Sequence, residues 1–155
     1  MRINPMVMFR GAEKYEGVRP INIYLLRLLY VLMFFVLGQM TWTHILTHKG
    51  PWDPTAAVAW CVWTAFATLA GIGIVRPLTM LPVILLEIFY KTLWLVIVAL
   101  PLWTGGTLAG SAAEGITSQF LWVVLPIVAM PWGYAFAQYI YKPKGRTRRV
   151  EESVA

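Results

Sequence analysis

The chain has 155 residues, 59% of them hydrophobic and 13% charged, with a mean hydropathy of +0.64 and a net charge of +6. Soluble domains carry about 45–50% apolar and about 25% charged residues, and a chain this small has too much surface per unit volume to hide the excess. The composition excludes disordered, collagen-like and disulfide-rich secreted classes, and it points to a bilayer as the solvent.

Residues 1–20 form a basic segment containing Arg2, Arg10, Lys14 and Arg19. A helix needs about 20 apolar residues to cross about 30 Å of hydrocarbon. The first such stretch runs from about 21 to 43 and is interrupted only by Arg27. It is longer than a signal-peptide core of about 7–15 residues, and the segment GQMTWTH lacks an A-x-A-like cleavage site. It is expected to stay as a helix.

At the far end of this span His44 and His48 form an H-x-x-x-H pair, with Asp53 close behind. Residues four apart share a helix face, so two imidazoles and a carboxylate there suit zinc or copper. Two histidines on one helix cannot flank a single haem, and no H-E-x-x-H is present. Beside Trp42 and Trp52, an interfacial role is the simpler reading, and no metal is expected. The loop HILTHKGPWDP carries helix stop and start signals at Gly50-Pro51 and Asp53-Pro54.

The second span, 54–75, holds no charge. Its one cysteine, Cys61, excludes an intramolecular disulfide and a cysteine-based zinc site. Ala67 and Gly71, four apart, allow close approach of a neighbouring helix. The connection RPLTML is short enough to demand a tight turn between antiparallel neighbours.

The third span, about 80–103, contains Glu87 and Lys91, four apart and in the favourable acid-before-base order. The fourth, about 116–141, is uncharged. Ala129, Gly133 and Ala137 would form a small-residue stripe along it, a packing feature rather than a ligand site. Pro126 and Pro131 should bend it. Residues 142–155 are a basic tail with Lys142, Lys144, Arg146, Arg148 and Arg149. Without a folded domain behind it, this tail suits anionic lipid headgroups better than nucleic acid. No second domain and no internal repeat is visible.

Four spans place both termini on one side. The N-terminal segment, the Arg76 turn and the tail carry ten Lys or Arg, and the other two loops carry only Lys49. That bias assigns both termini to the cytoplasm. Trp42, Trp52, Trp60, Trp63, Trp103 and Trp122 then fall near the outer interface, where indoles prefer to sit.

The intramembrane charges Arg27, Glu87 and Lys91 are the most informative residues. Arg27 and Glu87 each lie about 10 Å inside their parallel spans, so the sequence predicts that they are neighbours. Such groups are costly in a bilayer and mark candidate sites. The reading given more weight is structural: Arg27 snorkels, and Glu87–Lys91 pins helix packing.

The segment LLRLLYVLMFFVLGQ, with a second span ending GIGIVRP, resembles the DoxX-like small bacterial membrane proteins. The matching positions are Arg27, Gly38, Gly71 and the Gly73/Arg76 region. The resemblance covers about half the chain and implies a four-helix membrane fold. Some relatives are subunits of quinone-linked sulfur-oxidising enzymes, but no cysteine or quinone motif here carries that activity over.

The fold expected is all-α, an integral membrane bundle of four transmembrane helices in the bacterial inner membrane. With no nucleophile elbow, catalytic triad or phosphate-binding loop, the leading expectation is a non-catalytic accessory or structural subunit. It would partner other membrane subunits or copies of itself, without a cofactor. One rival is a small transporter or proton-coupled carrier using Arg27, Glu87 and Lys91. Another is a redox-associated subunit near a quinone or metal, using His44, His48 and the outer tryptophans.

Overall fold

A computed structural model describes residues 16–141. The N-terminal segment to residue 15 and the basic tail from residue 142 therefore lie outside the described residues. The described residues form helices joined by loops, with no strand among them. Three helices are long and apolar enough to cross a membrane, or four if a bent pair counts as one span.

Helix α1 runs Pro20–Thr47. It opens with proline at its first position, where the missing N–H has no intrahelical partner to lose. A π-helical turn at Met33–Leu37 inserts an extra residue midway. The first span thus extends beyond residue 43, and His44 belongs to the helix while His48 sits just past its end in extended backbone. Helix α2, Pro54–Val75, follows. Asp53 caps it, its carboxylate accepting the Ala56 N–H at 2.7 Å, which satisfies one of the free donors of the first turn.

Helix α3, Leu81–Thr104, is also continuous and carries a second π-helical turn at Leu95–Ala99. Pro101 lies just beyond this turn. Its ring would crowd the Ile97 carbonyl in a regular helix, and the widened turn accommodates that conflict.

The fourth segment departs from a single continuous span. It consists of α4, Glu114–Ala129, and α5, Trp132–Tyr139, bent by 78° at Met130–Pro131. Pro131 has no N–H to offer the Ile127 carbonyl, and the turn also strips the Ala129 carbonyl of its helical donor. Both are answered by side chains. The Trp132 indole N–H donates to Ile127 O at 3.0 Å, and the Asn22 amide of α1 donates to Ala129 O at 3.0 Å. Freed backbone groups are tolerated at membrane depth only when they are satisfied in this way.

Helix α2 packs along α1, and α4 packs against both α1 and α3. The core gathers Leu26 and Tyr30 of α1, Phe66 and Ala70 of α2, Leu81, Ile84 and Ile88 of α3, and Val123 and Ala129 of α4. The α1–α2 contact depends on glycine. A Cβ built on Gly73 would lie 2.5 Å from the Tyr30 ring, and one on Gly71 would lie 2.9 Å from the Phe34 ring. Ala67 faces Gly38 across the same seam. Tyr30 is fully buried, and its hydroxyl donates to Pro77 O at 3.2 Å, tying α1 to the α2–α3 turn.

Only 28% of the most apolar window of each long helix is buried within the protein. Phe35, Val58, Ile97, Trp103 and Val128 all face outward. A surface this continuously apolar is far beyond the patches that water-exposed monomers carry. The outward faces are compatible with a hydrocarbon environment.

Candidate functional site

The polar centre of the bundle lies on α3. Glu87 and Lys91 are one turn apart, and Lys91 Nζ donates to Glu87 Oε1 at 2.5 Å. This is the only ion pair among the described residues. Glu87 is 8% exposed, and its second oxygen, Oε2, is buried without a hydrogen-bond partner. Lys91 also stands 5.8 Å from the centre of the Phe120 ring, within the range of a cation–π attraction.

These two residues line a groove of about 460 Å³ between α1, α3 and α4. Leu29, Met33 and Leu37 line it from α1, and Pro126 and Leu125 from α4. Gln119 and Trp122 stand beside them. The groove is therefore apolar, with its charge concentrated on the α3 wall.

Arg27 does not join this cluster. The expected Arg27–Glu87 pair is absent: among the described residues Arg27 Nε has no hydrogen-bond partner, and Glu87 pairs with Lys91 instead. The groove that Glu87 and Lys91 line meets α1 from Leu29 onward and does not include Arg27.

At the opposite end of α1, the histidines are held by aromatic stacking. His44 stacks on Trp60 with ring centres 3.7 Å apart, and His48 on Trp52 at 3.6 Å. Their own rings are 5.9 Å apart. Asp53 is engaged in capping α2. Among the described residues no group of three His, Cys, Asp or Glu side chains is arranged to hold a metal ion. His48 is the C-cap of the helix, so the four-residue spacing does bring the two rings together, but tryptophans rather than a third ligand surround them.

The stripe Ala129, Gly133 and Ala137 is also rearranged. The 78° bend falls between the first and second members, so the three do not line one straight helix. Ala129 is buried in the core, whereas Gly133 and Ala137 are exposed on α5. A Cβ on Gly133 would meet nothing within 4 Å among the described residues. Ala67 and Gly71, in contrast, lie on the α1–α2 seam.

Two polar residues that sequence reading passes over prove informative. Asn22 sits two residues into α1 and seals the α4–α5 break from a distance of 107 positions. Gln119 borders the groove near Glu87 and Lys91. The available signal was an amide inside an otherwise apolar run, which in a bilayer needs a partner. No family model, curated protein or solved structure matches this chain.

Proposed function

We propose that this chain is a multi-pass protein of the bacterial inner membrane, with both termini cytoplasmic, serving as an accessory or structural subunit of a larger membrane complex. One observation carries the reading: several of the polar side chains that could carry chemistry make structural contacts instead, with Arg27 the main exception. Lys91 takes Glu87, Asp53 caps α2, and His44 and His48 stack on tryptophans. Asn22 seals a helix break. Thr64, Thr68, Thr104 and Thr117 donate back to carbonyls of their own helix turns. The outward faces stay apolar, open to lipid or to another subunit's helices. The basic tail, outside the described residues, would add attraction to anionic headgroups.

The test is purification from native membranes in mild detergent, followed by mass spectrometry of the intact assembly. A subunit co-purifies with partner chains, or copies of itself, in fixed ratio. A chain that emerges alone and monomeric overturns the reading.

A second reading, a small carrier, draws on the groove beside Glu87 and Lys91. Intramembrane ionisable groups at a cavity suit ion or proton pathways. It requires flux in liposomes reconstituted with this chain alone, abolished in the double variant Glu87→Leu/Lys91→Met.

A further inference from the structure

We infer that the groove between α1, α3 and α4 is a binding site for a neutral, single-chain lipid with a hydroxyl head, gripped by the Glu87–Lys91 pair. Its volume of about 460 Å³ lies in the range of about 300–1,000 Å³ typical of small-ligand sites.

The wall chemistry defines the head. An ammonium has three donors and a carboxylate about four acceptor positions. Glu87 and Lys91 exchange one hydrogen bond, and Glu87 Oε2 has no donor at all. In a low-dielectric surrounding such unmet capacity is costly, and a ligand in the groove that takes up the free Lys91 donors and adds a donor to the carboxylate is favoured. The pair is neutral overall, so an anionic or cationic head would have to pull one member from the other. A hydroxyl both accepts, from Lys91, and donates, to the Glu87 carboxylate. It leaves the ion pair intact.

The remaining lining defines the tail and its route. Leu29, Met33 and Leu125 offer only apolar contact. Leu32, Val36 and Met40, also on the groove, are exposed on the outward face of α1, so entry is lateral, from the hydrocarbon. Glu87 lies six residues after the first residue of α3, about 9 Å along the helix. A bulky phosphate head does not descend to that depth cheaply, whereas a single hydroxyl does.

The experiment uses the full-length chain in detergent with two probes, oleyl alcohol and oleyl methyl ether, read by native mass spectrometry. The probes differ by one O–H, so their difference isolates donation to Glu87. Wild-type protein should retain the alcohol about tenfold more than the ether, the worth of one charge-assisted hydrogen bond. The variant Glu87→Leu/Lys91→Met should lose that preference. Equal retention of both probes by wild type, or a preference surviving in the double variant, overturns the proposal. So does preferential retention of phosphatidylglycerol, which would make the groove an anionic-lipid site. Should the double variant fail to give a monodisperse protein, Leu32→Trp at the exposed rim decides. It should cut retention of the alcohol about tenfold, and unchanged retention refutes the site. Wild-type retention is independent of whether the chain is a subunit, so this inference can fail without the proposed function failing.

Discussion

The Asn22 side chain of α1 donates to the carbonyl oxygen of Ala129, at the C-terminal end of α4, across 107 positions of sequence. That bond and the Trp132 indole bond to Ile127 O answer the two carbonyls freed at the α4–α5 break. The bend is therefore a closed polar unit rather than a loose joint, and the first span is tied directly to the last.

Asn22→Leu should lower stability by about 1–2 kcal/mol, since a satisfied carbonyl loses its donor. The measurement is unfolding in detergent. Trp132→Phe should cost a similar amount. In a Pro131→Ala background the restored N–H can serve Ile127, so Trp132→Phe should then cost less. A double-mutant cycle with no coupling between positions 131 and 132 would show that the indole bond does not compensate for the proline.

The α1–α2 seam gives a graded prediction. At Gly73 a Cβ meets the Tyr30 ring at atoms near its attachment point, and Tyr30 is fully buried. That ring cannot swing away, and Gly73→Ala should cost about 1–3 kcal/mol, as overpacking does. At Gly71 the nearest atoms lie along one edge of the Phe34 ring, and that side chain is 39% exposed. It can rotate outward, so Gly71→Ala should cost distinctly less. Thermal unfolding of the two variants, compared directly, checks the order.

The ion pair predicts a contrast between single and double changes. Glu87→Gln leaves Lys91 uncompensated in a largely buried site, a loss of about 3 kcal/mol. Glu87→Leu/Lys91→Met removes both charges and should be close to neutral. Arg27→Gln should add to Glu87→Gln without rescue, because the two residues do not pair. A rescue by Arg27→Gln in thermal unfolding would place Arg27 in contact with Glu87 after all.

These elements mark where sequence is legible and where it is not. Helix α2 and the Glu87–Lys91 pairing follow from local patterns: an uncharged run bounded by Asp53-Pro54 and Pro77, and a four-residue spacing. What depends on angle around a helix does not follow. A residue count gives Arg27 and Glu87 the same depth, but it carries no azimuth while neighbours are unknown, and the groove beside Glu87 leaves Arg27 out. The H-x-x-x-H spacing places the two imidazoles side by side, but it carries no sign of the Trp60 and Trp52 rings that stack on them. Pro131 announces a bend, but not that it reaches 78°. That extent depends on Asn22 and Trp132 being in place to satisfy the carbonyls.

The ten-to-one distribution of basic residues predicts the orientation of the chain. A reporter fused after Ala155 that is active only in the cytoplasm should give signal, and one active only outside should give none. The same pair of reporters inserted at Lys49-Gly50 should give the reverse. Matching signals at both positions would mean an even number of crossings between them, and α4–α5 would then turn back without completing a span.

Gly133 offers the sharpest test of association. It lies exposed on α5, and a Cβ there meets no atom of the described residues within 4 Å. Gly133→Leu should therefore leave insertion and thermal stability within about 0.5 kcal/mol of wild type, as surface changes generally do. A neighbouring helix that approaches this position closely would, by contrast, be pushed away by the added bulk. If the chain is a subunit whose α5 meets a partner, the variant should purify folded but with its assembly weakened by about tenfold or more in dissociation constant. Unchanged assembly would remove α5 from the interface and leave the outward faces of α1 to α3 as the surfaces to examine.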